Sequence, residues 1–126
     1  MPKVLLVGIG GFLGAIARYA LGGWVHRSAH GPVFPYGTLV VNVLGCLLIG
    51  ALAGLVETRG VLSPESRVFL LIGLLGGFTT FSTFGYETLQ LLRDGQLLYG
   101  LANIGASVLL GLGAVWLGFV LPRAIG

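Results

Sequence analysis

Few residues in this chain can do chemistry, and many of them fall in one stretch, Gly76-Gly77-Phe78-Thr79-Thr80-Phe81-Ser82-Thr83-Phe84, set inside an otherwise apolar segment. Lipid offers no hydrogen bonds to stray backbone N–H and C=O groups. A helix broken at membrane depth therefore persists only when it is packed in protein or lines a polar pathway. At helical spacing Thr80, Thr83, Phe84 and Glu87 share a face, and Phe81 and Phe84 form an i, i+3 pair. Two phenylalanines so spaced are ordinarily core. Placed between hydroxyls just after a Gly-Gly pair, their electropositive ring edges can instead face an anion. In an earlier apolar run Thr38 and Asn42 lie four residues apart, and Gly45 continues their face. Asn42 reads either as glue between helices or as an amide aiming N–H donors at a passing anion. Arg18 either snorkels to headgroups or builds an electropositive vestibule that concentrates anions. Glu87 is a proton carrier or simply wet, and Ser107 bonds its own backbone or lines a polar track.

Other chemistries find no residues here. The sequence has no phosphate loop, nucleophile elbow, zinc-protease signature or dinucleotide fingerprint, and nothing that couples it to ATP. His26 and His30 make no metal-ligand spacing with nearby carboxylates. The single Cys46 sits in an apolar run and reads as a buried core thiol, so no disulfide framework forms within one chain.

The elements that must position these residues are membrane helices. Of 126 residues 56% are hydrophobic and 9% charged, with a mean hydropathy of +0.99, whereas globular chains carry about 25% charged residues. A hydrocarbon core of roughly 30 Å calls for helices of about 20 residues. Spans at about 4–25, 37–56, 67–92 and 97–121 nearly exhaust the chain, so residues 1–126 read as a single all-α membrane domain whose third helix is broken mid-membrane. Lys3, the apolar run and Ala15-Ile16-Ala17 imitate a signal peptide, but the apolar pattern runs past Arg18 and further spans follow, so the segment reads as a first helix. Ser63-Pro64-Glu65-Ser66 has the form of a helix start, with Ser63 as N-cap and Pro64 in the first helical position. Arg93-Asp94-Gly95 reads as a tight turn, and Pro122 as the stop of the fourth span.

A net charge of +3 and a pI near 9.5 rest on seven scattered Lys and Arg residues. These read as flanks of membrane spans and not as a nucleic-acid surface. Lys3, Arg59, Arg67 and Arg123 fall on one side, and Arg27, Arg93 and the end of the helix carrying Arg18 on the other. So weak a bias predicts insertion in both orientations, and such a chain assembles most simply as an antiparallel homodimer with its two-fold axis in the membrane plane. The pairs Gly10/Gly14, Gly50/Gly54 and Gly73/Gly77 predict close helix packing.

Three blocks resemble the Fluc (CrcB) fluoride channels: Gly10-Gly11-Phe12-Leu13-Gly14-Ala15 with Arg18-Tyr19, then Gly37-Thr38-Leu39-Val40-Val41-Asn42-Val43-Leu44-Gly45, then residues 73–84. The resemblance spans all four helices in order. It implies a passive, fluoride-selective export channel of the cell membrane, bacterial in type, built as a dual-topology antiparallel homodimer with two pores. By position Phe81 and Phe84 are then the aromatic pair of each pore and Asn42 its amide. Thr38, Ser82, Thr83 and Ser107 add polar groups to the pore, Arg18 is the vestibule arginine, and Gly76 and Thr79 offer backbone carbonyls to a structural sodium at the dimer interface. Asn103 departs from the family, where some members have tyrosine. The rival classes are a small multidrug-type proton antiporter, which resembles its relatives in a Glu on the first helix that this chain lacks, and a membrane scaffold without transport.

Overall fold

The computed structural model describes residues 1–29 and 33–125; His30 lies outside them. Four stretches are long and apolar enough to cross a membrane: Lys3–Ser28, Tyr36–Arg59, Pro64–Arg93 and Leu97–Ala124. The first, second and fourth are single helices, α1, α2 and α6, of 26, 24 and 28 residues. At 1.5 Å per residue they are about 36 to 42 Å long. The third span is composite. It runs as α3 (Pro64–Arg67), a π-helical segment (Val68–Leu74), α4 (Leu75–Phe78), two extended residues and α5 (Phe81–Arg93). Among the described residues there is no strand.

Local chemistry sets most boundaries. Gly60 takes a left-handed conformation (φ 60°) and donates its N–H to the Val56 carbonyl at 3.0 Å, closing α2 three residues beyond the expected end. Ser63 caps the third span as anticipated, its hydroxyl accepting the Ser66 N–H at 3.1 Å. The turn at Arg93-Asp94-Gly95 forms with Gly95 at φ 77°. Pro122 does not stop α6, which continues to Ala124. A proline in the last turn removes a single backbone hydrogen bond, and the helix has little left to lose there.

The π-helical segment was not foreseen, because a widened turn leaves no mark on hydrophobic periodicity. The Leu75 N–H reaches back five residues to Leu70 O.

Two tight helix pairs make the fold. α1 lies against the π-helical segment and α4, and α2 lies along α6. The predicted glycine pairs are where backbones touch. A Cβ on Gly10 would stand 2.7 Å from the Phe69 carbonyl oxygen, and one on Gly77 would stand 2.7 Å from that of Gly11. In the second pair Gly50 and Gly54 face the carbonyls of Val115 and Phe119, while Gly118 faces that of Leu47. The buried side chains are few, chiefly Val41, Leu75, Phe78 and Leu91. Val41, Leu75 and Phe78 sit near the interruption of the third span.

Candidate functional site: a cavity at the interruption of the third span

The site forms where the third span stops being helical. Thr79 (φ −89°, ψ 159°) and Thr80 (φ −149°, ψ 121°) are extended, so the backbone groups that α4 and α5 would have exchanged must find other partners. Asn42 of α2 supplies two. Its Oδ1 accepts the Thr80 N–H at 2.8 Å and its Nδ2 donates to the Thr80 carbonyl at 2.9 Å. Arg18 of α1 supplies a third, Nε donating to the Gly77 carbonyl at 3.2 Å. Thr80 then caps α5, its hydroxyl oxygen accepting the Thr83 N–H at 3.1 Å. Gly45, one turn beyond Asn42, leaves room for the Thr79 methyl and the Phe78 ring.

The Asn42 amide is therefore helix glue, though only in part. An amide nitrogen carries two hydrogens, and the Thr80 carbonyl takes one. The other has no protein acceptor among the described residues, and Asn42 also lines a cavity of about 470 Å³. That cavity brings together Asn42, Thr80, Phe81, Phe84 and Ser107, with Gly76 and Thr79 at its edge. The Phe81 and Phe84 rings are 5.6 Å apart between centroids and tilted by 44°. Beside them the wall carries the Asn42 amide and the Thr80 and Ser107 hydroxyls. Cys46 lies on the same wall as a free, half-buried thiol.

A second cavity of about 290 Å³ holds Arg18, Thr38, Thr83, Glu87 and His26. Thr38 and Asn42 were expected on one wall; the structure puts them in different cavities. One helical turn separates them along the axis, and Thr80, clamped by Asn42, lines both cavities and stands between. Thr83 lines the cavity that holds Arg18. Ser82 lines neither cavity. Its side chain is exposed and lies 3.5 Å from the Thr80 hydroxyl.

Sequence reasoning underrated two groups. Glu87 lines the cavity that holds Arg18, and its Oε1 is buried without a hydrogen-bond partner among the described residues. Asn103 is 2% exposed and joins α6 to α5 through Thr88. Its polarity within an apolar run was the available signal.

The carbonyls at the interruption bear on a cation. In a continuous helix Gly76 O would accept from Thr80 N–H and Thr79 O from Thr83 N–H, but both donors are engaged elsewhere. Among the described residues neither carbonyl has a protein donor. Oxygens of this kind suit a hard cation, and no group of three His, Cys, Asp or Glu side chains is placed to hold a metal among the described residues.

Residues 5–119 match the family model described as CrcB-like protein, Camphor Resistance (CrcB). A protein of Methylobacillus flagellatus named fluoride-specific ion channel FluC is 50% identical over 123 residues, covering 98% of this chain and 96% of that one. The Rhizobium meliloti protein of the same name is 51% identical over 125 residues, covering 99% of each. Fluoride-specific ion channel FluC 1 of Methanosarcina acetivorans is 50% identical over 118 residues, 94% of this chain and 88% of its own. With so much of its length matched, the chain belongs to the CrcB family.

Proposed function

We propose that this chain is a fluoride-selective channel through which fluoride leaves the cell passively, relieving its toxicity. It is not an enzyme. The observation that carries the reading is the cavity at the interruption of the third span, where the Asn42 amide and the Thr80 and Ser107 hydroxyls stand beside the Phe81–Phe84 pair. Moving a carboxylate-sized ion from water to a medium of low dielectric costs about 20 kcal/mol in the idealised case. Fluoride is smaller and holds its water more tightly, so a pathway must replace water donors with fixed ones. An amide hydrogen, hydroxyls and ring edges do this without a net positive charge that would trap the ion. Arg18, at the neighbouring cavity, raises the local anion concentration as a vestibule residue.

The working unit on this reading is an antiparallel homodimer of dual topology in the cell membrane, with the interruption at mid-depth. Phe81 supports it: at 83% exposure in a single chain, a pore-wall ring needs a second surface to close the wall. A sodium ion at the two-fold axis, held by the Gly76 and Thr79 carbonyls of both copies, would coordinate four oxygens left without helical donors and supply only electrostatic and structural support. Gly76 is exposed and so open to a partner.

The test is fluoride efflux from proteoliposomes, followed with a fluoride electrode, with and without a proton gradient. Electrically shunted efflux that ignores the proton gradient is expected. Drug-coupled proton movement would replace the channel by an antiporter, and no flux from folded protein would leave a scaffold.

A further inference from the structure

Between α5 and α6 runs a largely buried polar chain that points one way in this structure. Thr88, 7% exposed, donates its hydroxyl to the Phe84 carbonyl at 2.8 Å. Asn103 donates Nδ2 to Thr88 Oγ1 at 3.0 Å, and Ser107 donates its hydroxyl to Asn103 Oδ1 at 3.4 Å. The Phe84 carbonyl can only accept, so Thr88 spends its proton there and presents a lone pair to Asn103. The amide must then turn its nitrogen to Thr88 and its oxygen to Ser107. At the end of this relay the Ser107 proton points at Asn103 and away from the cavity that Ser107 lines. An anion in that cavity needs the opposite orientation.

We propose that Asn103 is a positioning residue that makes Ser107 a conditional donor. The inference rests on the fluoride reading of the cavity. With no ion at Ser107, Asn103 Oδ1 holds the hydroxyl proton. When fluoride arrives the amide turns over: Nδ2 donates to Ser107 Oγ, Ser107 donates to the ion, and Thr88 swings its proton from the Phe84 carbonyl to Asn103 Oδ1. No proton leaves its own oxygen or nitrogen. Three hydrogen bonds exist before and three after, and the Phe84 carbonyl keeps its place within α5. The reversal is therefore cheap, and its first step breaks the longest bond of the chain, the one at 3.4 Å. A hydroxyl that donates only when an ion is present binds fluoride without standing as a fixed trap for it. The bonds of such a chain reinforce one another in a common direction, which ties Thr88, remote from the cavity, to the same event.

A double-mutant cycle on efflux rate tests this. Asn103→Val should slow efflux about tenfold, the worth of a net hydrogen bond, and Thr88→Val should slow it less. In a Ser107→Ala background neither change should have a further effect beyond about twofold, because the positioning residue then has nothing to position. Equal losses with and without Ser107 would make Asn103 helix glue and overturn the proposal. A second measurement does not depend on conduction: the Asn103 side-chain amide resonance should shift on addition of fluoride to wild type and stay still in Ser107→Ala. A resonance indifferent to fluoride in conducting wild-type protein overturns the proposal alone. Wild-type protein that does not conduct overturns the channel reading and this inference with it.

Discussion

Replacing Asn42 by alanine removes both hydrogen bonds that hold the extended Thr80, at 2.8 and 2.9 Å. Nothing else among the described residues meets the Thr80 N–H or carbonyl. A fully buried group left without a partner costs about 1–3 kcal/mol, and both bonds are part-buried, so the local cost is at most about 2–6 kcal/mol. At 1.4 kcal/mol per factor of ten, opening of this segment becomes at most about 30-fold to 10⁴-fold more frequent. Hydrogen–deuterium exchange at the Thr80 amide reads that frequency directly. The control is Thr80→Val, which keeps both bonds to Asn42 and removes the cap on Thr83 with the 3.5 Å contact to Ser82, at a cost of about 1 kcal/mol, so exchange at residue 80 should rise by less than about tenfold. Fluoride efflux should fall in Asn42→Ala, since the amide also lines the cavity. If the Thr80 amide in folded Asn42→Ala protein exchanges within threefold of wild type, the clamp does not hold the interruption and the reasoning fails.

Phe81→Ile and Phe84→Ile should each abolish fluoride efflux while leaving a folded protein by thermal melting; undiminished efflux in both would remove the rings from the pathway. Gly77→Ala places a methyl 2.7 Å from the Gly11 carbonyl oxygen and should lower stability by about 1–3 kcal/mol, whereas Gly113→Ala, with open space around it, should be neutral or slightly stabilising. Arg18→Leu removes the charged donor to the Gly77 carbonyl and should cost about 1.5–3 kcal/mol in denaturant melts, and it should also weaken the dependence of efflux on ionic strength. Exchanging sodium for a bulky organic cation should loosen the assembled protein in detergent and lower its melting temperature; an unchanged melt argues against a cation on the Gly76 and Thr79 carbonyls.

The four spans were legible because lipid imposes a length and a composition that no soluble helix needs to meet. The glycine pairs were legible for a related reason: lipid gives little hydrophobic drive between helices, so contact surfaces must be small, and Gly10, Gly50 and Gly77 meet backbone directly. The tie between Asn42 and Thr80 was not legible, because a sequence tells which residues share a face of one helix and not which carbonyl on another helix will be short of a donor. The same blindness set Thr38 beside Asn42, when the clamped Thr80 divides their surroundings. The π-helical segment was hidden too, since a change in backbone pairing leaves the order of apolar residues untouched. The end of α6 was misread because the cost of Pro122 depends on how many hydrogen bonds remain beyond it.

The interruption of the third span also carries a consequence for biogenesis. Its replacement hydrogen bonds come from Asn42 and Arg18, on helices that leave the ribosome before it does. Inserted alone, this segment would have no partner for the Thr80 amide and carbonyl, and lipid would drive it into one uninterrupted helix. The extended pair is thus imprinted by earlier-made helices on a later one. A nascent chain arrested after Arg93 should already carry it, and the same segment expressed without α1 and α2 should not.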